Sequence, residues 1–382
     1  MNKRKKIPSL DLQRNVLNYI RKNGPISRKQ LSKIFNVSQA IITKITNYLI
    51  KKNLIYEKGE GKSSRKGGRK PIYLEINSEK GYLMVIDVGS CQIKGVISNL
   101  NEKILKKEIE KTDEKDAPKQ IIEFSKKLVD GYKEKLIGIC IGLPGVVDIE
   151  KGISVFSANL PQISGIKFSS IFKKEYKVPV KLVNSSIINV IGEYKGKERL
   201  LDLYWGNGIA ATFLSSEKEI LTGKEKSRID FGHITYEKNG RLCRCGKKGC
   251  LESYVGSFAI LDEIKKITGK QIDMEEALKL AKENNEVRKI FEEKAYIVGK
   301  FLSFPVQYFS PEEIIFSGGL ILNGGPLLIE NIKKGLYDSI DESDYRKLRF
   351  RISEDIYTGC KGGIKLLVEE LFNTHFVSLV QL

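Results

Sequence analysis

Four apolar runs in this 382-residue chain each end in a glycine-containing loop, and this pattern limits the fold more than any other feature of the sequence. The runs lead into the loops DVGS, GLPG, GNG and SGG. Helical patterns lie between them, in APKQIIEFSKKLVDGYKEK and SFAILDEIKKIT. Mixed strands and helices with glycine turns at strand ends are typical of α/β lobes that hold ligands in their loops. Beyond residue 80 the chain is therefore predicted to be α/β.

The positive charge of the chain is concentrated at its N-terminus. Residues 1–80 contain 20 Lys and Arg against 5 Asp and Glu, whereas the whole chain contains 66 and 47 and has a net charge of +19. A small basic domain joined to a nearly neutral one indicates a polyanionic partner, most often nucleic acid. Lysine enrichment for solubility or thermal tolerance is the alternative explanation.

Residues 1–76 are predicted to form a winged helix-turn-helix domain that binds a double-stranded DNA operator. Ser27 and Ser38 are candidate N-caps of the second and third helices. The inward face of the third helix is predicted to consist of Ile41, Ile45, Tyr48 and Leu49. The candidate DNA contacts are Ser38, Gln39, Thr43, Lys44 and Asn47 in this helix, and Arg65, Lys66, Arg69 and Lys70 in a glycine-rich wing suited to a narrow minor groove. A protein-docking module is the alternative.

One of the two histidines and three of the six cysteines fall within a single short segment. His233, Cys243, Cys245 and Cys250 have the spacing H-x9-C-x-C-x4-C. Three thiolates and an imidazole complete a tetrahedral Zn²⁺ site, and a closed set of four is structural rather than catalytic. The other cysteines, Cys91, Cys140 and Cys360, are predicted to pack as small hydrophobic side chains. Without a disulfide framework or a membrane-spanning run, the expected location is cytoplasmic.

With these motifs the chain resembles the ROK family (repressors, open reading frames and sugar kinases) of the actin-like ATPase superfamily, over nearly its whole length. Its basic N-terminal domain is similar to that of the family's sugar-responsive repressors. The resemblance implies a first lobe over residues 77–194 and a second over 195–360 with the zinc loop and an oligomer interface, and a C-terminal helix at about 361–382 that packs back on the first lobe.

The resemblance also implies how a sugar is held. The implied sugar contacts are Asn159, Asn184, Asp230, His233 and Glu252. Asp230 stands where the family usually has Glu, so this carboxylate is one methylene shorter. Carboxylates and amides hydrogen-bond the dense hydroxyls of a sugar in pairs, which gives orientation and specificity.

The residues for phosphoryl transfer depart from the family pattern. The segment VNSSIINVIGE is similar to the family's ENDANAAALGE, which places Ser185 at the catalytic Asp and Ile187 at an Asn. A serine hydroxyl is too weakly basic near neutral pH to act as the general base, so no catalytic residue is expected. In the first phosphate loop, Ser90 and Cys91 replace Gly and Thr. ATP is therefore not expected as a cofactor, although the candidate nucleotide-binding residues are retained: Asp87, Gly89, Gly206, Gly208, Gly318 and Gly319.

These features together predict a repressor of carbohydrate-metabolism genes that senses a small-molecule sugar. DNA-reading proteins of this kind act on paired half-sites, so we expect a homo-oligomer, either a dimer or a tetramer. An active ATP-dependent sugar kinase with a fused DNA-binding domain, similar to glucokinase or N-acetylglucosamine kinase, is the main alternative. A third alternative is a DNA-binding protein whose body has lost its ligand and serves only to dimerise.

Overall fold

The structure is a computed structural model, and it describes residues 9–60, 70–196, 198–217, 219–220 and 231–373. The elements before residue 77, here called the N-terminal unit, are α1 (Leu10–Asn23), β1 (Ile26–Ser27), α2 (Arg28–Ile34), α3 (Gln39–Lys51), β2 (Ile55–Glu60) and β3 (Ile72–Ile76). Three antiparallel strands in the order β1-β3-β2 form its sheet.

Serine side chains begin the helices of the N-terminal unit. Ser27 accepts a hydrogen bond from the backbone N–H of Gln30, and Ser38 accepts one from Ile41, as both predicted N-caps require. In α3 the buried stripe is Ile42, Ile45, Thr46 and Leu49. The prediction that Tyr48 faces inward is wrong, because Tyr48 lies one position off this i, i+3, i+4, i+7 stripe and is exposed.

The first lobe follows the N-terminal unit. Its elements are β4 (Tyr82–Val88), β5 (Gln92–Asn99), β6 (Ile104–Lys111), α4 (Ala117–Val129), β7 (Leu136–Leu143), β8 (Val146–Asp148), β9 (Ile153–Phe156), α5 (Phe168–Tyr176), β10 (Val180–Asn184) and α6 (Ser185–Glu193). The main sheet has the order β10-β7-β4-β5-β6, and β8 and β9 form a separate pair. Every residue of β7 is buried, as expected for a central strand covered on both faces.

The second lobe contains the elements from β11 to β14. They are β11 (Leu200–Trp205), β12 (Ile209–Leu214), α7 (Glu252–Val255), α8 (Ser257–Thr268), α9 (Met274–Leu280), α10 (Asn285–Phe309), β13 (Glu313–Ser317), α11 (Gly319–Gly324), α12 (Pro326–Tyr337), α13 (Glu342–Tyr345) and β14 (Arg349–Ile352). Its sheet, β12-β11-β13-β14, repeats the arrangement of the first lobe. In each lobe the first two strands form an antiparallel hairpin, β4 with β5 and β11 with β12. Later strands extend the sheet in parallel from the other edge of the first strand: β7 and then β10 beyond β4, and β13 and then β14 beyond β11.

The last helix, α14 (Thr358–Asn373), returns to the first lobe. It begins three residues before the predicted start, and its predicted continuation to residue 382 lies outside the described residues. Its apolar residues share one buried core with β4 and with α1, in which Leu17, Leu83 and Phe372 are fully buried. The N-terminal unit therefore packs directly on the body. None of the helices in the described part of the chain combines the length and apolar character needed to cross a membrane.

Candidate sugar cleft, metal cluster and DNA-facing helix

A cleft opens where the carboxyl ends of strands from both lobes meet. Loops after β4, β7, β11 and β13, together with the end of β10, surround a cavity of about 730 Å³. A crevice outside the carboxyl ends of strands is where open α/β sheets hold ligands. The candidate sugar and nucleotide residues that the structure describes all line this cavity: Asn159, Asn184, His233, Glu252, Asp87, Gly89, Gly206, Gly208, Gly318 and Gly319. Asp230 lies outside the described residues.

Glu252 is held at the wall of the cleft by two hydrogen bonds. Its carboxylate accepts the backbone N–H of Ile209 at 3.1 Å and the side-chain amide of Asn159 at 3.3 Å. Gly208 makes room for the pair, because a Cβ there would lie 2.5 Å from Glu252 Oε2 and 2.6 Å from Asn159 Nδ2. Asn184 is the N-cap of α6 and donates to the carbonyl oxygen of Gly145 at 2.6 Å. These acceptors and amides are oriented before any ligand arrives.

Three buried oxygens along the cavity have no hydrogen-bond partner among the described residues. They are Ser157 Oγ, Asn159 Oδ1 and Asp202 Oδ2. A buried polar atom left without a partner costs about 1–3 kcal/mol, so this wall of the cleft is polar and its hydrogen bonding is incomplete. Ser157 and Asp202 were not among the site residues predicted from the sequence. An acidic residue inside the apolar strand LDLYW was the available signal for Asp202.

Asp202 titrates in an unusual range because it is fully buried. Its pKa is raised to about 7, chiefly by burial and to a lesser extent by the carboxylate of Glu193, while the hydrogen bond from Ser317 and the charge of Arg351 oppose the shift. The folded state therefore holds this proton more tightly than the unfolded chain, in which the carboxyl has its ordinary pKa of 3.8. The stabilising contribution is complete below about pH 4 and is lost as the pH rises to about 7.

We expect Asp202→Asn to flatten the pH dependence of stability. Between pH 5 and pH 8 the wild-type protein should lose about 2–3 kcal/mol of unfolding free energy through this group, and the variant should not. Thermal midpoints at the two pH values measure the difference. Asp262→Asn is the control, because Lys266 lowers the pKa of this exposed carboxyl and its loss should not flatten the curve. A variant as pH-sensitive as the wild type would contradict the assignment.

His233, Cys243, Cys245 and Cys250 converge beside the cleft. Their ligand atoms all lie within 4.8 Å of one another. Cys243 Sγ lies 3.7 Å from His233 Nδ1, and Cys245 Sγ lies 3.7 Å from Cys250 Sγ. Four ligands at about 2.0–2.3 Å from a tetrahedral zinc ion are separated by about 3.3–3.8 Å. Donor types and spacing therefore fit such an ion. His233 and Cys245 also line the cavity, which places the cluster in its wall.

The two phosphate-type loops are joined by their own side chains. Asn207 Nδ2, after β11, donates to Ser90 Oγ, after β4, at 3.0 Å. In a phosphate loop, free backbone N–H groups must approach the ligand closely, and a side-chain bridge between two loops obstructs that approach. Cys91, next in the chain, is exposed. The prediction that it packs as a core residue is wrong, because it lies in the turn between β4 and β5 and lines the cleft.

Ser185 occupies the first position of α6, at the floor of the cleft. Its hydroxyl donates to the carbonyl oxygen of Val88 at 3.2 Å. Glu193, at the other end of α6, is buried and ion-paired with Arg351 at 2.5 Å. The buried carboxyl of Asp87 lies near Ser185, and its burial raises its pKa. The charge of Lys94 and the hydrogen bond with Ser185 oppose this shift in the pKa of Asp87.

The five candidate DNA contacts in α3 share one exposed face: Ser38, Gln39, Thr43, Lys44 and Asn47. The Thr43 hydroxyl donates to Gln39 O at 2.8 Å, within the helix. Arg28 in α2 donates to Thr46 Oγ1 at 2.9 Å and pairs with Glu57 at 2.8 Å, which fixes α3 against α2 and β2. Of the residues predicted to form a wing, Lys70 is exposed, and Arg65, Lys66 and Arg69 lie outside the described residues.

The duplicated lobes and the cleft between them define a two-lobed α/β protein with a sugar-kinase-like body. Residues 83–356 match the ROK family, and the chain belongs to that family. It is 28% identical over 365 residues to a xylose repressor of Caldicellulosiruptor bescii, covering 89% of this chain and 90% of that protein. It is 25% identical to the glucokinase of Thermotoga maritima, covering 76% of this chain and 98% of the enzyme.

A solved structure has the same architecture along the whole chain. A ROK family transcriptional regulator, a homologue of the Escherichia coli protein MLC, superposes with a TM-score of 0.77 at 22% identity, over 97% of this chain and 98% of that one. The glucokinase matches only 76% of the chain, whereas this regulator covers the N-terminal unit as well.

Proposed function

We propose that this chain is a sugar-responsive transcriptional repressor of carbohydrate-metabolism genes. The observation that carries the proposal is the convergence of Asn159, His233 and Glu252 on one cleft, in a chain that also has a basic N-terminal unit. A family relative that matches 89% of the chain is named a xylose repressor, so xylose is the first sugar to test.

The N-terminal unit is proposed to be a winged helix-turn-helix domain, with α3 as the recognition helix and the hairpin of β2 and β3 as the wing. The capped, polar and exposed start of α3 supports this assignment, because recognition helices read base edges with their N-terminal residues. The basic composition of residues 1–80 supplies the phosphate contacts.

Gln39→Ala tests the recognition helix. We expect operator affinity to fall by about 1–3 kcal/mol, roughly 5–150-fold, because a glutamine amide that pairs with a base edge discriminates by that amount. Fluorescence anisotropy with operator and with unrelated DNA measures the change. Gln271→Ala in the second lobe is the matched control. Equal operator affinity in the wild type and the variant would remove Gln39 from the interface.

The cluster of His233, Cys243, Cys245 and Cys250 is proposed to hold a structural Zn²⁺. Its place in the wall of the cleft supports a role in shaping the sugar site, since Glu252 follows Cys250 by two residues. When bound, the ion would cross-link the loop and leave no position open for water.

The repressor and kinase hypotheses are separated by one pair of measurements. Operator affinity is measured with and without xylose, and ATP turnover is measured with xylose, glucose, fructose and N-acetylglucosamine. We expect a sugar to change operator affinity. We expect ATP turnover to stay well below about 1 s⁻¹, where the ordinary range of enzymes begins. Turnover above this value would favour the kinase. If no sugar changes operator affinity, the result would favour a DNA-binding protein whose body serves only to dimerise.

Loss of the general base supports the non-enzymatic assignment, because such a base contributes about 10²–10⁴-fold to rate. The Ser185 hydroxyl donates a hydrogen bond to the backbone carbonyl of Val88, and the Ser90–Asn207 bridge joins the two loops that phosphates would approach. A homo-oligomer built through the body is proposed, since the DNA sites of such regulators are paired.

A further inference from the structure

Helix α6 runs along the cleft and ends against the second lobe. At its N-terminus, Asn184 and Ser185 line the cavity, and their side chains bond to the loops after β7 and β4. At its C-terminus, Glu193 pairs with Arg351 of the second lobe. A ligand that moves the first turn of α6 must therefore move the far end as well, because a helix of this length is stiff.

Helices α6 and α14 cross with their backbones in contact. A Cβ at Gly192 would lie 2.1 Å from Thr358 O, and one at Gly362 would lie 1.8 Å from Ile188 O. Only glycine permits this approach. Packed surfaces this close move together rather than deform, so a displacement of α6 is transferred to α14.

Lys365 joins the two helices by hydrogen bonds. Its ammonium in α14 donates to the carbonyl oxygens of Ile191, Gly192 and Tyr194 at 3.2, 3.0 and 3.0 Å. These carbonyls end α6 and have no acceptor role within the helix, and a cation at a helix C-terminus is also favoured by the helix dipole. Lys365 therefore fixes the C-terminal end of α6 to α14.

The far end of α14 holds α1 of the N-terminal unit. Arg14 donates to Asn373 O at 3.0 Å, and Asn18 donates to Asn373 Oδ1 at 3.1 Å. The guanidinium of Arg21 lies over the ring of Phe372, 5.0 Å from its centroid. The N-terminal unit is thus attached to the same helix that Lys365 attaches to the cleft.

We propose that α6 and α14 act as one lever that transmits the state of the sugar cleft to α1, with Lys365 as the positioning residue that couples the two helices. The proposal rests on the proposed function and names its regulation. The N-terminal unit then follows the lever as a rigid attachment. Sugar changes operator affinity only to the extent that it binds the two positions of the lever differently.

Lys365→Met tests the lever in the full-length protein, with xylose as the probe. In the wild type we expect xylose to change operator affinity by about 5–150-fold. In the variant the change should shrink by at least about 3-fold, because the glycine contact remains but the end of α6 is no longer bonded to α14, while xylose affinity of the free protein and operator affinity without sugar stay within about 3-fold. Coupling is reciprocal, so the xylose affinities of free and operator-bound variant should also converge.

Lys181→Met is the matched control, because Lys181 pairs with Glu370 of α14 at 2.5 Å and does not contact the end of α6. It should keep the full response.

If Lys365→Met does not fold, Arg14→Ala at the junction of α14 and α1 should still reduce the response by at least about 2-fold. If xylose changes operator affinity equally in the wild type and in the Lys365 and Arg14 variants, the lever is wrong but the proposed function stands. A wild type that responds to no sugar overturns the proposed function and the lever with it.

Discussion

Cys245→Ser is expected to lose the metal and to lower the thermal midpoint of the protein by about 6–12 °C or more. Structural zinc contributes roughly 10–16 kcal/mol of apparent binding energy, which is as large as the whole stability of a typical domain. A loss of only about 3 kcal/mol would already move the midpoint by this amount in a lobe of this size. Metal content by mass spectrometry and thermal unfolding measure the two effects on the same sample.

The expected effect follows from the geometry of the loop. Gly246 and Gly249 adopt positive φ values of 87° and 78°, so the segment turns sharply on either side of Lys247 and Lys248 to bring the thiols together. Cys91→Ser is the matched control, since this thiol is exposed and remote from the cluster in the chain, and its midpoint should change by less than about 2 °C. A Cys245→Ser protein as stable as the wild type would show that no structural metal is present.

Glu252→Gln is expected to weaken sugar binding by about 10–150-fold. The carboxylate is 3% exposed, and its hydrogen bonds to Ile209 N and Asn159 orient it toward the cleft. Hydrogen bonds to a charged group contribute about 1.5–3 kcal/mol each, and the amide removes the charge with little change of shape. Calorimetric titration with xylose measures the affinity, and operator binding without sugar should be unchanged.

The control for this substitution is Glu312→Gln, an exposed carboxylate of the second lobe, which should bind sugar as the wild type does. Zinc content must be measured in the Glu252 variant, because the residue follows Cys250 closely in the chain. Lower sugar affinity with the metal retained supports a direct contact. Unchanged affinity with the metal retained would exclude Glu252 from the sugar site.

The features that could be predicted from the sequence depend on interactions between residues a few positions apart in the chain. Ser38 caps α3 because its hydroxyl reaches the N–H of Ile41, three positions away. The inward face of α3 was harder, and Tyr48 was misplaced because a one-residue error in helical phase turns a side chain by about 100°. Cys91 was misplaced because an apolar neighbourhood in the chain does not say where a strand stops.

The amino-acid sequence alone was enough to predict the two compositions of the chain, its family, the His and Cys set, and a serine where the family resemblance implies the catalytic base. Each of these is encoded by residue type and by spacing over short segments. Three features appear only in the folded chain: Asp202 and Ser157 line one cavity, Asn207 bridges to Ser90, and Lys365 caps α6. Asn207 and Ser90 are more than a hundred residues apart in the chain, and so are Lys365 and Ile191. Asp202 and Ser157 come from different lobes. Local periodicity encodes which face of an element is buried, whereas the partner it meets depends on how the lobes pack.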